Sequence, residues 1–261
     1  MPTVLDVSYR LEVVNISDVG CVREFNEDST ISNANMGLLV LADGMGGHNA
    51  GELASALAVT NIYDSISLGL DEAKSTIDQA EDDCSSLVHD AITDANKKIY
   101  TAGQENTLYR GMGTTVVVAL LNSDKLYISH VGDSRIYRAR DDGLQLLTTD
   151  HSVLQAVVNR GILTLEEALK IVPKNLVTRA LGLNVNVELD VVATEVNEGD
   201  MYLLCSDGLT DIVEYEEIHL TLAKYSDNLM LVANGLVEIA KKNGGYDNIS
   251  VILAKVVGAV T

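Results

Sequence analysis

Five apolar runs, each about the length of one β-strand, limit how this chain can fold. They lie at 36–42 (MGLLVLA), 115–121 (TVVVALL), 125–131, 201–205 and 249–257. Most are β-branched or nearly continuous in apolar residues, the pattern of strands covered on both faces. Residues 10–16 alternate more and fit a half-exposed strand. The stretch 111–147 reads as consecutive short strands with tight turns at Asn122-Ser123-Asp124 and Asp141-Asp142-Gly143, an antiparallel meander.

Helical spacing is confined to separate blocks. Ile77, Ala80, Cys84, Val88, Ala91, Ile92, Ala95 and Ile99 share one face, and 52–68 repeats the pattern through Leu53, Leu57, Ile62 and Ile66. The two helices should pack antiparallel across a short connection at 69–71. A further helix fits 228–241. Strand runs with segregated helices predict an α+β fold with antiparallel sheets. The stretch 152–186 is less apolar, is punctuated by Gly161 and Gly182, and contains a capping box, Thr164-x-x-Glu167, ahead of a short helix. It reads as a flap between two strands. With two prolines and no linker or repeat, 1–261 is expected to be one continuous domain.

Charge removes several classes of function. Eighteen basic against 38 acidic side chains leave a net charge of −20. That field repels nucleic acid and disfavours a polybasic membrane anchor. The first twelve residues lack the pattern of a secretory signal, and no uncharged apolar run reaches the ~20 residues that span a bilayer. Cys21, Cys84 and Cys205 are odd in number and lack metal-type spacing, which fits reduced thiols in a cytoplasmic protein.

Carboxylates recur where the apolar runs begin or end. Asp43 closes GLLVLA and precedes Gly44-Met45-Gly46-Gly47-His48. Asp207 follows YLLCS and precedes a glycine. Asp133 follows LYISHVG, Asp247 precedes the last apolar run, and Asp28 opens a strand. A single Asp-Gly after a strand is ordinarily a turn or a cap. Five acids at strand ends, two of them followed by glycine, point instead to one rim where clustered carboxylates repel and a hard cation relieves them. Oxygen-only ligands favour magnesium or manganese over zinc.

At these residues the sequence resembles the PP2C-like, metal-dependent Ser/Thr protein phosphatases in their compact bacterial form. The matching elements stand in family order: VREFNEDS (22–29), LADGMGGHNAGELAS (41–55), GMGTT (111–115), HVGDSRIY (130–137), LTTDHS (147–152), VTRALG (177–182), LLCSDGLTD (203–211) and GGYDNISVIL (244–253). The resemblance implies a four-layer α-β-β-α sandwich, two antiparallel sheets flanked by helix pairs. It implies a core site for two Mn2+ or Mg2+ ions and a third, weaker ion. By position, Asp43 resembles the bridging carboxylate and Gly44 the residue whose carbonyl binds an ion. Asp28 matches a ligand of one metal, Asp207 and Asp247 ligands of the other, and Asp133 the ligand of the third. Arg23 matches the arginine that binds the substrate phosphate. The implied reaction is hydrolysis of phosphoserine and phosphothreonine in proteins, by in-line attack of a metal-bridging water or hydroxide. It would reverse bacterial Ser/Thr kinase signalling, in a cytoplasmic monomer that binds neither nucleic acid nor membrane.

His48 sits further from its Asp-Gly pair than in the animal-type pattern. Either it or water on a third metal at Asp133 is a candidate to protonate the leaving group; otherwise His48 caps or hydrogen-bonds the start of the following helix. His130 and His151 are expected to pack or hydrogen-bond, Arg135 to order the GDSR turn, and Glu27 to be structural. A two-metal nuclease also needs clustered acids, but the charge and the lack of a basic stripe weigh against it. Intact ligand motifs weigh against a pseudophosphatase.

Overall fold

The computed structural model describes residues 9–46, 50–75, 82–141 and 143–258. In chain order these form β1 (Tyr9–Asp18), β2 (Asp28–Asn33), β3 (Leu38–Met45), α1 (Ala50–Ser75), α2 (Asp82–Glu105), β4 (Gly113–Thr114), β5 (Val116–Asn122), β6 (Lys125–Val131), β7 (Arg135–Arg140) and β8 (Gly143–Leu146). There follow α3 (Val153–Asn159), α4 (Leu165–Ile171), β9 (Val191–Glu195), β10 (Met201–Cys205), α5 (Asp207–Thr210), α6 (Tyr215–Lys224), α7 (Leu229–Lys242) and β11 (Ile249–Gly258).

Two antiparallel sheets face each other. One runs β1-β11-β10-β7-β8, the other β2-β3-β5-β6-β9 with β4 paired to β3. Strand periodicity explains the continuous apolar runs. In β3, Leu39 and Leu41 point inward and meet Val117, Tyr202, Leu204 and Ile252 between the sheets. Their neighbours Leu38, Val40 and Ala42 point outward against Ile62, Ile66, Ile92 and Ile99 of α1 and α2. On the opposite face, Leu203, Cys205, Val251 and Leu253 pack against Val232, Ala233 and Leu236 of α7. Each central strand is buried on both sides, so neither face shows polar alternation. The result is the expected four-layer α-β-β-α sandwich.

Two expectations change. Residues 111–147 are not one meander. β5 and β6 form a hairpin in one sheet, β7 and β8 a hairpin in the other. The chain crosses between sheets at 132–134, because period two marks strands but not the sheet that each one joins. The connection expected at 69–71 is helical, since α1 continues to Ser75. Gly69 serves packing instead: a Cβ there would lie 2.3 Å from Leu87 Cδ1 of α2. Ile77 and Ala80, expected on the apolar face of the second helix, lie outside the described residues. Within α1, Ala50–Glu72 has the length and hydropathy of a membrane span. It nevertheless carries Glu52 and Asp64, and Ala54, Ala58, Ile62 and Ile66 are fully buried against the sheet.

The stretch 152–186 holds two helices. α4 starts with the expected capping box at Thr164 and Glu167, and α3 starts with Ser152 accepting from the Gln155 amide. Isolated bridges, Ser152 with Val177 and Thr114 with Leu181, fasten the segment to the body.

Candidate metal centre

The aspartates at strand ends meet at one rim because alternate strands of both sheets start or stop there. Asp28, first in β2, is paired in register with Asp43 near the end of β3. Asp207 follows β10 as the first residue of α5, and Asp247 lies two residues before β11. Asp133 sits on the crossover from β6 to β7. The rim therefore draws Asp28 and Asp43 from one sheet and Asp207 and Asp247 from the other.

Uncharged residues hold this arrangement. The Asp43 carbonyl accepts from the Thr115 amide and from Thr114 Oγ1, both at 2.8 Å, and the Asp43 amide donates to Thr115 Oγ1 at 3.1 Å. Thr115 Oγ1 in turn meets Ser134 Oγ at 2.7 Å, which ties the β3 end to the Asp133 crossover. Ser206 Oγ donates to Asp28 Oδ2 at 2.8 Å across the sandwich. Asn248 Nδ2 donates to the carbonyls of Val19 and Phe25 at 3.0 Å, while its Oδ1 accepts from the Glu27 amide, so it pins the loop carrying Arg23. Both Asp-Gly pairs need glycine for close approach. A Cβ on Gly44 would lie 2.1 Å from the Gly51 carbonyl oxygen, and one on Gly208 would lie 1.9 Å from that of Asn248.

The electrostatics are those of carboxylates deprived of water. Asp28 and Asp133 are buried. Burial pushes the Asp28 carboxyl up to about 6, against the hydrogen bonds from Ser250 and Ser206. Burial, then the neighbouring Asp133, Asp211 and Asp247, pushes Asp207 up to about 8. Asp43 is raised well above the ordinary range by burial and by Asp28 and Asp207. Asp133 rises to about 6, first from burial and next from Asp150. Among the described residues no three His, Cys, Asp or Glu side chains are gathered round one point; the acids meet in pairs, Asp28 with Asp43 and Asp43 with Asp207. Of three buried side-chain oxygens without a hydrogen-bond partner among the described residues, two belong to this rim, Asp28 Oδ1 and Asp207 Oδ1; the third is Thr93 Oγ1. Buried polar atoms without partners are rare in folded proteins. A hard, oxygen-seeking cation is the partner this donor set fits.

Arg23 stands at the mouth, half exposed, with one guanidinium nitrogen 2.7 Å from Asp247 Oδ2. His48 lies outside the described residues. His130 and His151 stack with ring centres 4.5 Å apart, His130 Nε2 donates to the Thr149 carbonyl, and the Gly132 amide donates to His151 Nδ1. They pack and hydrogen-bond as expected. Arg135 grips Asp150 with two nitrogens at 2.9 and 2.6 Å. Glu27 accepts from the Gly51 amide at the start of α1, a structural role. Sequence reasoning missed the positioning parts played by Thr114, Thr115, Ser206, Asn248 and Asp150. Their signal is present in GMGTT, the serine before Asp207, the asparagine after Asp247, and LTTDHS, but Thr114, Thr115, Ser206 and Asn248 carry no charge, and Asp150 lies four residues beyond the end of β8.

A double sheet that brings buried Asp28 and Asp133 and the carboxylates of Asp43, Asp207 and Asp247 to one edge, with an arginine over them, belongs to the hydrolases that work on anionic esters at a carboxylate cluster. The chain belongs to the protein phosphatase 2C family, whose sequence model matches residues 23–236. It is 36% identical over 247 residues to the protein phosphatase PhpP of Streptococcus pneumoniae, covering 93% of this chain and 96% of that one. The crystal structure of the Mycobacterium tuberculosis serine/threonine phosphatase PstP superposes with a TM-score of 0.84 at 36% identity, covering 94% and 98% of the two chains. A second structure, the catalytic domain of PstP in complex with two manganese ions, superposes at 0.81 with 36% identity, covering 96% and 100%.

Proposed function

We propose that this protein is a metal-dependent phosphatase of phosphoserine and phosphothreonine in proteins. The observation that carries the reading is the pair of partnerless buried oxygens, Asp28 Oδ1 and Asp207 Oδ1, inside a cluster that resists ionisation. Asp28, Asp43, the Gly44 carbonyl, Asp207 and Asp247 would hold two divalent ions, Mn2+ or Mg2+, and Asp133 with Asp207 a third and weaker one. Bound there, such ions supply an activated water and positive charge opposite the phosphate dianion. The chain's own residues do the rest. Thr114, Thr115, Ser206 and Asn248 fix the carboxylates before substrate arrives, so that little reorganisation is left for the reaction. Arg23 presents a planar fork to the phosphate oxygens. His48 remains a candidate proton donor to the serine or threonine oxygen that leaves. PhpP and PstP are named as phosphatases, which supports phosphoproteins as substrates and a Ser/Thr kinase as the opposing enzyme. The protein would act as a monomer in the cytoplasm, where Cys21, Cys84 and Cys205, none of them in a disulfide, suit a reducing compartment.

With Mn2+ the protein is expected to release phosphate from p-nitrophenyl phosphate and from phosphothreonine peptides, and EDTA to bring both rates to background. Full turnover after exhaustive chelation would rule the reading out. Arg23→Ala is expected to raise KM for phosphate esters about 10- to 100-fold, the worth of one or two charge-assisted hydrogen bonds. Calorimetry should show its metal binding little changed. A loss of metal affinity as large as that of Asp43→Ala would make Arg23 a support of Asp247 rather than a phosphate ligand.

A further inference from the structure

The aspartate cluster opens on one side into a groove of about 480 Å3. Asp133 and Asp207 line it, so a substrate whose phosphate rests on the cluster brings its flanking residues to this groove. Much of the remaining lining is apolar. α4 contributes Leu165 and Leu169, one turn apart on the same face, and Leu146, Val213 and Ile218 line the groove with them. The two α4 leucines are 53% and 48% exposed, and Ala168 is the one buried residue of that helix. A helix that turns leucines at i and i+4 into open space beside a candidate catalytic centre presents an apolar face for something to cover. The basic side chains of the groove are already engaged, Arg135 with Asp150 at 2.6 Å and Lys174 with Asp211 at 3.9 Å. The acids Asp133, Asp207 and Glu214 and the polar Ser152, Gln155 and Thr210 share the lining, and the apolar contact that it offers a visitor comes from the leucines, Val213 and Ile218. Its volume falls within the ~300–1,000 Å3 of pockets that enclose a small molecule or a few side chains.

We propose that this groove is a specificity pocket for the polypeptide around the phosphoresidue, and that it takes a large aliphatic side chain of the phosphoprotein close to the phosphoserine or phosphothreonine. The proposal rests on the phosphatase reading and adds to it a substrate preference. The occupant follows from continuity: the groove and the carboxylates share one wall, so whatever fills the groove is attached to what binds the cluster.

The test uses the full chain with Mn2+ and alanine-based phosphothreonine peptides in which a single leucine is moved stepwise along both sides of the phosphothreonine. Leucine at one or two positions is expected to raise kcat/KM about tenfold over alanine. Leu165→Ser and Leu169→Ser, both at exposed positions, should reduce that ratio to about twofold or less. The ratio is the readout, so a general loss of rate cancels. If wild type hydrolyses p-nitrophenyl phosphate but favours leucine nowhere, the groove proposal fails and the phosphatase reading stands. Preference retained in full by both variants places the selectivity elsewhere and overturns the proposal. If Mn2+-loaded wild type leaves p-nitrophenyl phosphate intact, both fall. Sedimentation showing a dimer that Leu169→Ser dissociates would assign the groove to a second copy of the chain, and would also overturn it.

Discussion

Asp43→Asn should all but abolish hydrolysis of p-nitrophenyl phosphate and at the same time make the chelated protein harder to melt. The two effects share a cause. Asp43 lies between Asp28 and Asp207, and burial together with these neighbours opposes its negative charge. In the chelated protein that charge has no counterpart, so asparagine of the same shape removes a repulsion. At pH 8 in EDTA the gain is expected to be ~1–2 kcal/mol, or about 3–6 °C in Tm for a chain of this size. The repulsion that destabilises the chelated protein is the property that attracts cations. Losing the central carboxylate forfeits ~4 kcal/mol of charge stabilisation in the reaction, about a 10^3-fold drop in kcat/KM. Thermal unfolding in EDTA and steady-state hydrolysis in Mn2+ check the two halves. A variant that is both inactive and less stable in EDTA would show that Asp43 acts as a scaffold residue. Below the ~3.9 of an unfolded aspartate the stability gain should vanish, because Asp43 is then protonated in the folded and unfolded states alike.

The chelated wild type should also melt at progressively lower temperature as pH rises from 4 to 8. Asp28 and Asp133 are held at about 6 and Asp207 at about 8, all above the ~3.9 of an unfolded chain. A group whose folded value is raised binds its proton more tightly in the native state. Its contribution is complete below the unfolded value and is lost as pH passes the folded one. For Asp28 alone the change amounts to about 3 kcal/mol, enough to move Tm by ~5–10 °C. Mn2+ should flatten the curve, since a cation replaces the proton as the partner of these oxygens. A chelated protein whose Tm is constant or rises over this interval would contradict the burial of the cluster.

The central strands are legible in the sequence because both their faces are covered. Leu39 and Leu41 serve the inner core while Leu38, Val40 and Ala42 serve the helices, and the run shows as unbroken apolar sequence. β9 has no such signature, since most of its residues are exposed at a sheet edge and Val192 alone is 61% exposed. The short helices α3, α5 and α6 hold too few turns for a periodic stripe to stand out. The division of 111–147 between two sheets is invisible for a different reason: strand pairing is a long-range property, and a hairpin reads the same in either sheet. The charged members of the candidate site are legible as acids at strand ends. Thr115, Ser206 and Asn248 are not, because they act through backbone bonds and hydroxyl contacts between segments far apart in sequence.

The carboxylate rim straddles the seam of the sandwich. Asp28 and Asp43 ride on one sheet, Asp207 and Asp247 on the other, and Asp133 on the strap that passes between them. Between them the sheets pack through an apolar core, which tolerates small slippage; at the rim they meet through groups that must agree in position to a fraction of an ångström if they are to share a cation. An ion seated there is a rivet through two plates. It would stiffen the edge where chemistry takes place and leave the distal edge free to breathe, so amides near β2, β3, β10 and β11 at the rim should gain more exchange protection from metal than those at the opposite end.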